Sequence, residues 1–94
     1  MKQADLFGRV VISKCGRDKG SYQVIVGFFE EDILFVADGG RRKVENPKKK
    51  KMKHLIFTDK SLALNSEGRF TNPGIKKAIK ELNKEKKDIN KLIN

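Results

Sequence analysis

The stretch that decides the fold is FGRVVISKCGRDKGSYQVIVGF, residues 7–28. Residues 7–13 are rich in β-branched side chains, which predicts a strand. Residues 22–28 alternate between apolar and other side chains, which predicts a second strand. The polar loop between them, residues 14–20, contains two glycines, and glycine permits the tight backbone turn that such a loop needs. This pattern indicates two antiparallel strands and a mainly β protein.

Three further strand candidates follow this pair. Residues 33–37 (ILFVA) are too few and too β-branched to favour a helix. The glycine-rich residues 38–40 predict a tight turn. Residues 41–46 are then expected to return as a fourth strand at a solvated edge, because only one of them is apolar. Residues 48–51 are interpreted as a basic loop or strand lip, and HLIFT, which ends at Thr58, as the fifth strand.

Five short strands joined by glycine turns predict a small, five-stranded, SH3-like antiparallel barrel, because closure of the sheet removes exposed edges. We assign this barrel to residues 6–58, a linker to residues 59–72, and a basic amphipathic α-helix to residues 73–94. Asn72 is a favoured N-cap residue, and Pro73 suits the first helical position. The barrel is expected to fold without the C-terminal helix.

The predicted helix has two contrasting faces. Its apolar stripe consists of Ile75, Ile79, Leu82, Ile89 and Ile93. Its opposite face consists of Lys76, Lys77, Lys80, Lys84, Lys87 and Lys91. The pattern leaves three interpretations open. The helix packs on the barrel with a solvated basic face, or that face also touches phosphates, or the helix becomes ordered only on binding.

The positive charge is concentrated in two segments. The chain of 94 residues has a formal net charge of +10. Residues 41–53 carry eight Lys or Arg and only one acidic residue, and residues 73–94 carry seven Lys and three acidic residues. Clustered positive charge attracts polyanions, whereas charge that serves only solubility does not need to be clustered. The composition therefore indicates a nucleic-acid-binding protein.

Several other classes of function are disfavoured. Cys15 and His54 are the only residues of their kinds, too few for a zinc site, and no third group orients them as a catalytic pair. The segment from Gly16 to Gly20 precedes a strand, whereas the phosphate loop of an NTPase opens a helix. We therefore expect no cofactor, no metal, no small-molecule substrate and no enzymatic activity. A single cysteine, no signal-peptide pattern and no long apolar run favour a cytoplasmic protein that does not enter a membrane.

The run from Gly8 to Val26 resembles a KOW motif, in which a strand, a loop with the pattern G-x-D/E-K-G and a second strand follow one another. Gly16 and Gly20 match the glycines of that loop. The resemblance continues into residues 35–44 and 53–55. This part of the sequence is similar to the large-subunit ribosomal proteins of archaea and eukaryotes that carry an N-terminal KOW barrel, and to small bacterial KOW-domain proteins. It implies an SH3-like barrel and binding to RNA, although some KOW domains of transcription elongation factors bind proteins.

The resemblance and the charge together predict an interface with structured ribosomal RNA and a role in translation, with the ribosome or ribosomal proteins as partners. The candidate RNA-binding residues are Arg17, Lys19, Arg41, Arg42, Lys43, Lys48, Lys49, Lys50, Lys51 and Lys53. Arginine binds phosphate with two parallel hydrogen bonds, and lysine acts as a point charge. Tyr22 and Phe29 are the candidates for stacking on a base. The alternative is a protein-interaction module that docks on transcription or translation machinery, and the lysine run is then a solvated or targeting tract.

Overall fold

The computed structural model describes the backbone of residues 6–93 and the side chains of residues 6–84. This part of the chain forms an antiparallel sheet of five strands in the order β4-β3-β2-β1-β5, followed by a long helix. The elements are β1 (Arg9–Ser13), β2 (Tyr22–Glu30), β3 (Ile33–Ala37), β4 (Lys48–Lys51), a 3-10 turn (Met52–His54), β5 (Leu55–Ser61) and α1 (Asn72–Ile93). The predicted class, mainly β with five antiparallel strands and a C-terminal helix, is confirmed.

The sheet is strongly curled because its two edge strands are joined by a very short connection. Neighbouring strands lie about 4.8 Å apart, so the edges of a flat five-stranded sheet would be separated by about 19 Å. The three residues Met52–His54 link β4 to β5, and such a link spans at most about 14 Å even when it is fully extended. No ladder pairs β4 with β5 in the described chain, so the edges approach each other without hydrogen-bonded closure of the barrel.

The concave face of the curled sheet carries the first hydrophobic core. Its buried residues are Leu6, Val11, Ile25, Leu34, Val36 and Leu55, and Phe28, Met52 and Phe57 pack against them. The pairing register places these side chains on one face, since directly opposite residues of neighbouring strands point to the same side of a sheet. Val10 and Val24, the chain neighbours of Val11 and Ile25, are also buried but belong to a second core, so both faces of the sheet are covered here.

A second core lies between the convex face of the sheet and the first turns of α1. Val10, Val24 and Ala37 from three strands surround Ile75, whose side chain is 0% exposed. Ile79 and Leu82 pack against the same cluster. The interpretation in which the helix packs on the sheet is therefore confirmed for these first turns. The side chains of Ile89 and Ile93 lie outside the described residues.

The fourth strand differs from the prediction. Residues 41–46 form turns, and the lysine run forms β4 instead. The Asp38 carboxylate accepts hydrogen bonds from the amides of Gly40 and Arg42, both at 2.9 Å, which folds the chain away from β3. The Val44 amide binds the Asn72 side chain at 2.8 Å rather than a strand. The prediction was wrong because four lysines carry no hydrophobic alternation, although they pair with Ile33–Val36 in regular register.

The helix start also differs. Thr71 is the N-cap, since its hydroxyl accepts a hydrogen bond from the Gly74 amide at 3.1 Å. The side chain of Asn72, the predicted cap, instead joins the helix to residues 41–46. Its carbonyl oxygen accepts from Val44, and its amide nitrogen donates to the Glu45 carboxylate at 3.0 and 3.1 Å. β5 also extends to Ser61, into the segment expected to be a linker.

Candidate nucleic-acid interface

The loop between β1 and β2 is organised by the carboxylate of Asp18. This carboxylate accepts a hydrogen bond from the Gln23 side-chain amide at 2.7 Å, and its other oxygen lies 3.3 Å from the Ser13 hydroxyl. The Lys50 ammonium donates a hydrogen bond to Oδ1 of Asp18 at 3.3 Å, and the Lys48 ammonium lies 3.9 Å from Oδ2 of Asp18. The main partners of Asp18 are therefore side chains of the sheet, from β1, β2 and β4.

Lys50 occupies the polar end of the concave face. It lies opposite Leu34 in the ladder between β3 and β4, so its side chain points to the same side as this core residue. Lys50 is only 7% exposed. Its ammonium donates to the Ser13 hydroxyl at 3.1 Å, the Cys15 carbonyl at 3.2 Å and Asp18 at 3.3 Å. These three acceptors match its three protons, and no proton of Lys50 remains for a phosphate.

The same contacts set the ionisation of Asp18. Burial raises its pKa, but the hydrogen bonds from Gln23 and Lys50 and the positive charge of Lys50 outweigh that effect. The pKa of Asp18 is therefore lowered from its ordinary value of 3.8, and the carboxylate is ionised at neutral pH. An ionised Asp18 compensates the buried ammonium of Lys50, which would otherwise be a costly unpaired charge.

The tip of the β1–β2 loop is exposed, in contrast to the contacts between Asp18 and Lys50. Arg17 and Lys19 flank Asp18 and are both exposed. Gly16 and Gly20 have φ angles of +85°, a left-handed conformation that favours glycine. A Cβ atom at Gly20 would meet nothing within 4 Å, so its backbone conformation, and not crowding, accounts for the glycine there. The loop thus keeps its acid half-buried and presents the two cations of its tip to solvent.

A cleft runs beside this loop tip. Its inner part, of about 540 Å³, lies between the β1–β2 loop and the turn after β3. Its cationic lining residues are Arg17, Arg41, Arg42 and Lys48. Asp18, Ser21 and Asp38 complete the lining. Four of the predicted RNA-binding residues, which lie up to 31 positions apart in the chain, therefore converge on one hollow.

The first turns of α1 form the opposite wall of the outer part of this cleft. That part measures about 760 Å³ and shares Ser21, Asp38 and Arg41 with the inner part, so the two hollows adjoin each other. Lys76, Lys77 and Lys80 line it, together with Tyr22 and Ile79. These helix lysines were not among the candidate site residues. The signal for them was the basic face of the helix, but the sequence did not show that this face turns toward Arg41.

The remaining predicted cations lie outside the cleft. Lys19, Lys43, Lys49, Lys51 and Lys53 are all exposed, and none of them lines either hollow. The ammonium of Lys49 lies 3.7 Å from the ring centre of Phe29, a cation–π contact. For Lys49 and Lys51 the cause is strand alternation, since Lys48 and Lys50 point to one side of β4 and Lys49 and Lys51 to the other.

The two candidate stacking residues have different surroundings. Tyr22 is half-buried, packs against the second core and lines the cleft. Phe29 is 44% exposed, but it contacts Phe35 with ring centres 6.0 Å apart and also the Lys49 ammonium. Tyr22 is thus the aromatic residue that the fold brings beside the cationic cluster.

Within the described residues there is no group of three or more His, Cys, Asp or Glu side chains arranged to hold a metal ion. Cys15 is half-buried, and its carbonyl oxygen accepts hydrogen bonds from the Ser13 hydroxyl and the Lys50 ammonium. No helix in the described part of the chain is long and apolar enough to cross a membrane.

No protein-family model matches the chain, and no curated protein matches it. The resemblance to KOW domains therefore rests on the residues of the loop and its flanking strands.

Proposed function

We propose that this protein binds structured RNA through the cleft between the β1–β2 loop, the turn after β3 and helix α1. The observation that carries this proposal is the convergence of cations from three separate parts of the chain on two adjoining hollows. The contributing residues are Arg17, Arg41, Arg42, Lys48, Lys76, Lys77 and Lys80. Such convergence is expected of a polyanion site, since each cation that meets a phosphate releases condensed counterions.

The two acids in the cleft do not cancel its positive potential. Asp18 is already engaged by Lys50 and Gln23. One oxygen of Asp38 accepts the amides of Gly40 and Arg42, as described above. Asp18 bonds to side chains of the sheet and Asp38 to amides of the turn, and the seven cations of the cleft outnumber these two acids. The cleft therefore favours an anionic ligand with several charges.

The class of RNA is proposed from the sequence. The KOW-like loop between β1 and β2 supports ribosomal RNA and a cytoplasmic, ribosome-associated role in translation. The protein acts in this proposal as a binding module and not as an enzyme. Phosphate contacts position a protein without reading sequence, so the proposed recognition depends on the shape of the RNA backbone.

The proposal is tested by the salt dependence of binding to deproteinised ribosomal RNA between about 50 and about 200 mM salt. The cleft variant combines Arg41→Gln, Arg42→Gln and Lys48→Gln. Its slope of log affinity against log salt should shrink by about 2 to 3, since each lost phosphate contact removes about 0.7 to 0.9. Affinity should fall alike for different RNA sequences, because the lost contacts are to the backbone.

The matched control combines Lys43→Gln, Lys51→Gln and Lys53→Gln. It removes the same number of charges from the same segment, but from exposed positions outside the cleft. Its slope should shrink by less than about 1. Equal effects of the two variants would show that diffuse charge, and not the cleft, binds the RNA. If the wild-type protein neither binds ribosomal RNA nor co-sediments with ribosomes at low salt, the protein-interaction alternative replaces this proposal.

A further inference from the structure

Lys50 has the same side chain as its neighbours in the run of four lysines, but its surroundings are different. Lys49 and Lys51 are exposed, whereas Lys50 is 7% exposed and its ammonium lies beneath the β1–β2 loop. A lysine is seldom buried to this degree unless it is paired. Here the pairing is complete, with Ser13, Cys15 and Asp18 each accepting one hydrogen bond.

The acceptors of Lys50 lie on both sides of the loop tip. Ser13 is the last residue of β1, the Cys15 carbonyl precedes Gly16, and Asp18 follows Arg17. The bonds to the Cys15 carbonyl and to the Asp18 side chain therefore hold the chain two residues before and one residue after Arg17. Gly16 itself lies close to the ammonium, since a Cβ atom at that position would be 3.6 Å from it. Arg17 is the residue of this loop tip that lines the cleft as a cation.

From this geometry we infer that Lys50 is a positioning residue for RNA binding, which holds the β1–β2 loop so that Arg17 faces the cleft, and which does not itself touch RNA. The inference rests on the proposed function of the cleft. It assigns different tasks to lysines that are adjacent in sequence: Lys48 contributes charge to the cleft, and Lys50 fixes the geometry of the loop beside it.

The first experiment does not involve RNA. Lys50→Met keeps the aliphatic stem and removes the ammonium. The Asp18 carboxylate then loses its closest charge partner and keeps Gln23 and Lys48 beside it, so some loss of stability is expected. Amide hydrogen exchange is then measured for Lys19, Gly20 and Ser21, whose amides bond within the loop at 3.3, 2.8 and 2.9 Å. Exchange should become faster than in the control Lys51→Met, which changes an exposed residue of the same strand. Unchanged exchange would overturn the inference whatever the protein binds.

The second experiment is a double-mutant cycle on the salt slope for ribosomal RNA, with Arg17→Gln and Lys50→Met separately and together. If Lys50 positions Arg17, each single variant lowers the slope by about 1 and the double variant also lowers it by only about 1. If Lys50 left the loop and bound phosphate directly, the double variant would lose about 2. If Lys50 served stability alone, Lys50→Met would keep the wild-type slope. Either of the last two results contradicts the inference.

A milder variant covers the case in which Lys50→Met does not fold. Ser13→Ala removes the hydroxyl that accepts from Lys50 and leaves the charge pair with Asp18 in place. It should speed exchange of the same loop amides, and Arg17→Gln should then lower the slope by less than it does in the wild type. A full additional effect of Arg17→Gln in the Ser13→Ala background would reject the positioning role. Absence of any salt-dependent binding by the wild type would instead reject the proposed function.

Discussion

Gly20 and Gly39 share a backbone conformation but differ in what surrounds them. Their φ angles are +85° and +81°. A Cβ atom at Gly20 would project into open space, whereas one at Gly39 would overlap the carbonyl oxygen of Asn72 and lie 2.8 Å from Cγ of Lys76. Gly39 is therefore the point at which the turn after β3 touches the first turn of α1, and only the absence of a side chain permits this approach.

This pair of glycines yields a matched prediction for stability. Gly20→Ala should cost about 1–2 kcal/mol of unfolding free energy, the usual cost of left-handed backbone for a residue with a Cβ atom. Gly39→Ala should cost about 1–3 kcal/mol more, because overlap with α1 forces the helix to shift. Urea denaturation of the two variants measures both values. Equal losses would mean that α1 does not pack against this turn in solution.

Asp18 gives the fold a dependence on acid. Its pKa is lowered in the folded state, so it contributes stability above the ordinary value of 3.8, and this contribution is lost as the pH falls through the folded pKa. The melting temperature should thus decline as the pH falls below about 4. Asp18→Asn should be less stable than the wild type at pH 7, because Lys50 loses its charge partner, and should change less with acid.

Glu45 is the control for this acid titration. Its pKa is also lowered, chiefly by the hydrogen bond from Asn72, but the carboxylate is fully exposed. Glu45→Gln should therefore retain most of the acid sensitivity of the wild type. A melting curve for Asp18→Asn with the same pH dependence as the wild type would show that the network around Lys50 is not formed in solution.

At the scale of elements, helix α1 is both a cover for the sheet and a wall of the cleft. Ile75 closes the second core, while Lys76, Lys77 and Lys80 on the adjacent surface line the cleft. The expectation that the barrel folds without its helix rested on the strand pattern alone. Because Val10, Val24 and Ala37 are buried together with Ile75, we now expect removal of α1 to expose a core and not merely a linker.

A single substitution tests this role of the helix. Ile75→Ala should lower the unfolding free energy by about 2–5 kcal/mol, the usual cost of deleting a fully buried aliphatic side chain. Leu64→Ala, at a position that is 42% exposed, should change it by less than about 0.5 kcal/mol. Circular dichroism during chemical denaturation measures both. If the two substitutions cost the same, the helix does not contribute to the core.

At the scale of the whole molecule, the sequence predicted what depends on local pattern. Alternation and β-branched residues predicted β1, β2, β3 and β5 to within a few residues, and the charge distribution predicted which segments carry the cations. The fourth strand was missed because four lysines carry no apolar signal, and its pairing with β3 depends on distant residues. Burial of Lys50 was missed for the same reason, since its partners Ser13 and Asp18 lie more than thirty positions away.

The cleft shows a similar limit. The sequence places Arg41 and Lys76 in two separate basic segments, and no local pattern indicates that they line one hollow. Their proximity follows from the packing of Ile75 and from the bonds that Asn72 makes to Val44 and Glu45. These are long-range contacts between residues of ordinary type. Tertiary structure was therefore required to assemble the site from its parts.

The lysine run of β4 has a further consequence for how the chain tolerates changes in length. Because the four side chains are identical, they cannot determine which of them is buried. The flanking residues therefore set the register of β4. Pro47 cannot donate a ladder hydrogen bond, and the Met52 amide is held by the Asp32 carbonyl at 2.9 Å. If one of the four lysines were deleted, another lysine would occupy the position beneath the β1–β2 loop. The connection formed by residues 41–46 would then have to span the distance with one residue fewer. The repetition thus acts as redundancy at the one buried cation of the described strands.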